Sequence, residues 1–171
     1  MKKIIIFVFI FFIFIFYFIS PIKSQDTNNK NRFIGYFVNI YGEFTPNEIK
    51  YAFDNLNIYL KSQHKIEFLN NGLSSRALSL ELLRKENLKC LAEFSGKVTN
   101  INYSNSQFKT DISLKLIFDS ISTDQIDLEV SKDYEGESTG SITDSKAFTL
   151  SKAFIDIFAE NIDKIKEILT K

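Results

Sequence analysis

Between Lys89 and Gly136 apolar and polar residues alternate in three successive runs, and a chain with that pattern has to build a sheet. In the first run Cys90, Ala92, Phe94, Gly96 and Val98 fall on one side, with Glu93, Ser95, Lys97 and Thr99 on the other. The phase then slips by one residue, since Ile101 and Tyr103 are the next apolar pair, and such a slip predicts a bulge near Thr99 and Asn100. The second run sets Phe108, Thr110, Ile112, Leu114, Leu116 and Phe118 against Lys109, Asp111, Ser113 and Lys115. The third sets Ile126, Leu128, Val130 and Tyr134 against Asp127, Glu129, Ser131 and Asp133. Short polar links, Asn102 to Gln107 and Asp119 to Gln125, predict antiparallel neighbours. One side of this meander is apolar along most of its length and needs helices from elsewhere in the chain to cover it.

The flanks supply them. Phe33 to Tyr41 is apolar on both sides, as a strand inside a sheet is. Thr45, Pro46 and Glu48 form a helix start, with a cap, a proline at the first helical position and a capping-box partner. Ile49, Ala52, Phe53, Leu56, Tyr59 and Leu60 continue at helical spacing, and Ile66 and Phe68 suggest a short strand ended by Asn70, Asn71 and Gly72. Strand, helix, strand at these lengths predicts two parallel neighbours. Ser74 or Ser75 caps a second helix with Leu78, Leu82 and Leu83 as its stripe, and Asn87 ends it. Gly136 to Thr143 reads as a linker. From Asp144 to Thr170 a long helix carries Ala147, Leu150, Phe154, Ile157, Phe158, Ile162, Ile165 and Leu169 on one face. The expected fold class is α/β (α+β), a mixed sheet of about five strands in the order β-α-β-α-β-β-β-α, covered by helices on one face.

The amino terminus is different in kind. Lys2 and Lys3 precede an unbroken apolar run from Ile4 to Ile19, followed by Ser20, Pro21 and polar residues, which is the pattern of an export signal. Residues 1–24 are expected to be the signal, 25–31 a flexible lead and 32–171 a single domain. An uncleaved anchor is the alternative, because the run falls just short of the ~20 residues that span a bilayer. Removing Lys2, Lys3 and Lys23 from the 21 basic residues leaves 18 against 21 acidic ones, with no basic block, so nucleic acid is not the expected partner.

Few residues carry chemistry. Cys90 is the only cysteine and lies on the inward side of its run, where a free thiol behaves as a small hydrophobe. His64 is the only histidine and stands in a polar stretch without partners for catalysis or metal binding. Asp124, Asp127, Glu129, Asp133, Glu135 and Glu137 form an acidic stripe, spaced as the wet side of a strand rather than as a calcium loop. Gly136 and Gly140 lack the Lys and Ser or Thr of a phosphate loop. Asn102, Tyr103 and Ser104 form a sequon that matters only in a eukaryotic secretory pathway. No catalytic residue, cofactor or metal ligand is expected, and the chain is expected not to be an enzyme.

The order of elements, carried by the Thr45 to Leu60 helix leading to Lys65-Ile-Glu-Phe68, the Leu80 to Leu91 passage and the meander from Ala92-Glu-Phe-Ser-Gly-Lys-Val98 through Leu114-Lys-Leu-Ile-Phe-Asp119 to Asp133-Tyr-Glu-Gly136, resembles the α/β domain of the TolB amino terminus, CsgG and LpoB. YajG-like and LptE-like envelope lipoproteins have a similar order. In the resemblance Gly96, Gly136 and Gly140 take the places of a strand glycine and of a Gly-rich segment before the last helix. The lipid-attachment cysteine of those relatives is missing, no propeller follows as in TolB, and no amphipathic hairpin suited to a pore is evident. What the resemblance implies is a non-catalytic adaptor of the bacterial envelope, exported to the periplasm or beyond, whose partner is another envelope protein.

Two other functions compete with this one. They are a membrane-tethered structural protein held by residues 4–19 and a secreted enzyme of unrecognised type. For the adaptor, the expected contact is a strand edge, with the third meander run as the candidate: Asp127, Glu129, Ser131 and Asp133. Its acidic side chains discourage self-pairing and favour an extended, basic segment from the partner.

Overall fold

The computed structural model describes residues 31–69, 75–121 and 126–170. The proposed signal or anchor, nearly all of the lead, Asn70 to Gly72, Ser74 and Asp124 lie outside the described residues. Among those described, no helix is long and apolar enough to cross a membrane.

The chain runs β1 (Arg32–Val38), α1 (Pro46–His64), β2 (Glu67–Leu69), α2 (Arg76–Lys85), β3 (Cys90–Ser104), β4 (Gln107–Ser120), β5 (Leu128–Ser138) and α3 (Ile142–Leu169). The five strands form one mixed sheet in the order β2-β1-β3-β4-β5. β1 lies parallel to both β2 and β3, while β3, β4 and β5 are antiparallel. The expected fold class is the one observed. β1, apolar on both sides, is an inner strand.

Two crossovers leave β1 and β2 in opposite lateral directions. A right-handed connection leftward from β1 to β2 puts α1 on one face, and one rightward from β2 to β3 puts α2 on the other. Helices therefore occupy both faces, which corrects the one-sided expectation. α1 and α3 bury Phe33, Phe37, Phe94, Leu114, Leu116 and Phe118, and Phe154 and Phe158 of α3 stack on Phe94 at 4.3 and 5.7 Å. α2 covers a smaller cluster of Ile34, Tyr36, Leu83, Leu88 and Leu91. It packs on β1 and the start of β3 and reaches the end of β4 through the Arg76–Asp119 pair, and among the described residues no helix covers the rest of the back of β4 and β5.

The first long helix starts at its expected cap, whereas α3 starts at Ile142, two residues before the expected Asp144, with Ser141 as its cap. Thr45 and Glu48 close a capping box at α1, and Ser141 and Asp144 close another at α3. The Asp144 carboxyl lies below its usual range because the Ser141 backbone and hydroxyl donate to it. Ser75 caps α2. Leu78, assigned to the α2 stripe, is half exposed instead, because this ten-residue helix packs through Ser79 and Leu83.

Two links are shorter than the sequence implies. β3 and β4 pair through Ser104↔Gln107, leaving Asn105 and Ser106 as the whole turn, at φ 52° and 62°. Two positive-φ residues make the primed turn that matches strand twist, and Asn suits that region. The register shift between Val98 and Asn100 is the expected bulge, and the Glu43 carboxylate accepts from the Val98 N–H there at 2.7 Å. β5 continues through Gly136 to Ser138, so the first three residues of the expected linker are strand. Gly136 is needed where α3 crosses β5. A Cβ there would lie 2.9 Å from the Thr149 Cβ and 3.1 Å from its Cα.

Candidate functional site

β5 is an edge strand of eleven residues, and among the described residues it pairs only with β4. Which of its backbone groups are free follows from parity. In an antiparallel strand, one residue turns both N–H and C=O to one neighbour and the next turns both the other way. The Ile121 N–H donates to Lys89 O on the β3 side at 2.8 Å, so odd-numbered β4 residues face β3. The Ser120 N–H donates to the Asp127 carboxylate on the β5 side at 2.8 Å, so even-numbered β4 residues face β5. Their β5 partners are Leu128, Val130, Lys132, Tyr134 and Gly136. Glu129, Ser131, Asp133 and Glu135 therefore turn their backbone outward. Lys152 of α3 agrees with this, since its ammonium reaches Glu135 O from outside the sheet at 3.4 Å.

Of the four residues proposed from the sequence, the structure brings three together on this edge. Asp127 is the exception. It precedes the strand, and its carboxylate is tied to the Ser120 N–H. The back face of the edge is charged and wet, with cross-strand pairs Lys115–Glu129 and Lys109–Glu135, each at 2.6 Å. Glu135 also holds the half-buried Lys109 ammonium above its usual range. Asp133 and Glu137 lie exposed beside these pairs.

The helix side of the edge adds groups that the strand pattern does not point to. Lys132 pairs with Glu160 of α3 and stands 5.6 Å from the Tyr134 ring centre. Tyr134 is 7% exposed, and its hydroxyl has no hydrogen-bond partner among the described residues. Burial, then Glu160 and Asp156, push that phenol well above its ordinary range. The legible signal is the acidic i, i+4, i+7 series Asp156, Glu160 and Asp163, which shares one side of α3.

Elsewhere, Cys90 is buried, its thiol 3.8 Å from Ile168 O. His64 ends α1 half-buried, its Nε2 3.1 Å from the Tyr59 hydroxyl. Its pKa is lowered by burial, then by Lys166, against a smaller upward pull from Asp163. On the back face Tyr36 donates to Glu93, and Arg76 of α2 pairs with the buried Asp119 at 2.9 Å. A cleft of about 610 Å³ opens between the first turns of α1 and α3, lined by Tyr51, Phe148, Glu137 and Gln107 among others. Among the described residues, no group of three or more His, Cys, Asp or Glu side chains could hold a metal ion.

No protein-family model matches the sequence, and comparison with curated proteins finds no relative. Solved structures do resemble the fold. A point variant of the PelC dodecamer from Paraburkholderia phytofirmans matches with a TM-score of 0.51 at 12% identity, over 75% of this chain and 87% of that one. Lipoprotein GNA1162 from Neisseria meningitidis gives 0.45 at 12% identity, over 75% and 98% of the two chains. A minor lipoprotein from Acinetobacter baumannii gives 0.42 at 6% identity, over 81% and 94%. The structural neighbours thus include bacterial lipoproteins, and at these identities the likeness is one of fold.

Proposed function

We propose that this chain is a non-catalytic binding or assembly adaptor of the bacterial envelope, which captures an extended segment of another envelope protein along β5. The observation that carries the reading is the edge itself: eleven residues long, with no strand beyond it among the described residues, and with outward backbone groups at Glu129, Ser131, Asp133 and Glu135, of which the Glu135 carbonyl accepts from Lys152. Such an edge offers main-chain donors and acceptors to an incoming strand. An export-like amino terminus and an element order that resembles the TolB, CsgG and LpoB domains support an envelope location. The Ile4 to Ile19 run favours a second reading, tethering by an uncleaved anchor. The intact mass of the native protein separates the two, since loss of residues 1–24 removes the tether.

The test of the edge is a photo-crosslinking side chain at Asp133 in the full chain, produced in native envelopes. Ser131→Pro removes one outward N–H, and proline is tolerated where an edge strand's N–H faces away from the sheet. The expected result is an unchanged circular dichroism spectrum and at least a tenfold loss of the crosslinked partner. A folded Ser131→Pro protein that captures the same partner in the same yield refutes strand addition here.

A further inference from the structure

The strand-addition reading says where a partner lies, and the chemistry flanking β5 says what kind of segment it is. We infer that the segment is cationic, with an arginine on the helix side whose guanidinium reaches the Tyr134 hydroxyl and the carboxylates of Asp156 and Glu160. This inference rests on the reading of β5 as a docking edge.

Two independent observations carry it. The first is the charge on both sides of the edge. Glu129, Asp133, Glu135 and Glu137 project on the back face, and Asp156 and Glu160 stand on the helix side. Lys109, Lys115, Lys132 and Lys152 offset part of this charge, through Glu135, Glu129, Glu160 and the Glu135 carbonyl respectively. Asp133, Glu137 and Asp156 keep no ion-pair partner among the described residues. The second observation is the Tyr134 hydroxyl. It is a buried polar group left without a hydrogen bond among the described residues, within electrostatic reach of Glu160 and Asp156. Leaving such a group unsatisfied is costly, and a donor arriving with the partner removes the cost.

Lys132 is the group in the way. Its pair with Glu160 is about half exposed at both ends, so exchanging it for a partner's cation costs little. A planar guanidinium can donate to a phenol oxygen and two carboxylates at once, whereas an ammonium acts as a single point charge, so arginine is preferred over lysine. A second copy of this chain is disfavoured as the occupant. β5 against β5 would set carboxylates opposite carboxylates.

The experiment titrates full-length protein with three acetylated and amidated ten-residue peptides, alternating Thr with Arg, Lys or Glu, and reads affinity by calorimetry at low and high salt. The expected result is binding of the Arg peptide, several-fold weaker binding of the Lys peptide and at least tenfold weaker binding of the Glu peptide. Raising the salt should weaken the Arg complex. Tyr134→Phe and Asp156→Asn should each weaken it several-fold without lowering the melting temperature, and Ser131→Pro should abolish it. Equal affinity for the Glu peptide, still lost in Ser131→Pro, overturns the cationic inference while strand addition stands. Undiminished binding of the Arg peptide to a folded Ser131→Pro protein overturns strand addition itself. Failure of every peptide to bind overturns the inference, and the Asp133 crosslink then judges the edge independently.

Discussion

Gly136→Ala is a change of one methyl group that should be felt across the sheet–helix interface. The new Cβ would sit 2.9 Å from the Thr149 Cβ and 3.1 Å from its Cα, and closer still to its Oγ1. Carbon atoms pack best at roughly 3.5–4.0 Å, so α3 must retreat by about half an ångström at this point. Rotating Thr149 does not solve the problem. Its Oγ1 donates to Ser145 O at 2.7 Å, and the backbone carbon stays in the way whatever the rotamer. Overpacking of this kind costs about 1–3 kcal/mol, and with a backbone atom involved we expect about 2. For a domain of this size that lowers the melting temperature by roughly 6–8 °C.

The assay is urea unfolding followed by far-ultraviolet circular dichroism, with the slope compared between variants to check that both states are unchanged. Adding Thr149→Ala should recover part of the loss, because it removes the Oγ1 clash and leaves the clash with the backbone carbon. The two substitutions should therefore couple and fail to restore wild-type stability. A Gly136→Ala protein within about 0.5 kcal/mol of wild type, the range of an ordinary surface change, refutes the close-approach argument.

Leu114 is wholly buried beneath the helices, so Leu114→Asp should leave the purified domain unfolded by circular dichroism at 25 °C, an unpaired charge in the core costing more than about 4 kcal/mol. Thr110→Val removes the 2.8 Å hydroxyl contact to Ser145, whose own hydroxyl also donates to Phe108 O at 3.0 Å, and should cost about 1 kcal/mol in a urea titration. Tyr134→Phe discards a buried hydroxyl without a partner, so its urea midpoint should equal or exceed that of wild type. Tyr36 and Tyr134 both have phenols pushed up chiefly by burial, so the folded state keeps their protons to higher pH than the unfolded chain does. Their contribution is fully present below about pH 10 and is lost as pH rises beyond it, and Tyr36→Phe with Tyr134→Phe should flatten the alkaline fall in melting temperature.

The meander is legible in the sequence because one of its faces is dry. Along Ile112, Leu114, Leu116 and Phe118 every second residue meets α1 or α3, and burial writes a period of two into the sequence. Beyond the bulge that pressure stops. Asn102 to Ser104 are exposed, so nothing distinguishes a wet ribbon from a polar turn, and the two-residue turn at Asn105 and Ser106 reads as a longer link. Gly136 misleads for the opposite reason. Glycine in a strand looks like a break in a sequence, yet here its missing side chain is what lets Thr149 approach. Leu78 looks like core because it is apolar at a helical spacing, while the contact of a short helix is carried by the smaller Ser79.

The candidate edge divides along the same line between local and non-local information. Alternation assigns Glu129, Ser131 and Asp133 to one side of a strand, since side-chain direction is a property of a single strand. Whether their backbone groups are spent or free depends on the neighbour, and only the sheet order with the Ser120, Ile121 and Lys152 hydrogen bonds decides it. Those two directions are linked in an antiparallel edge: the residues whose N–H groups point outward also share one face. On β5 that face carries the acids, so outward backbone groups and negative charge fall on the same residues, with Lys152 already on the Glu135 carbonyl. A partner segment that satisfies the ladder thereby sets its own side chains into register with Glu129, Asp133 and Glu135. If β5 docks a strand as proposed, it would recognise charge only through strand pairing, and moving the acids one residue along β5 would keep the charge and lose that coupling.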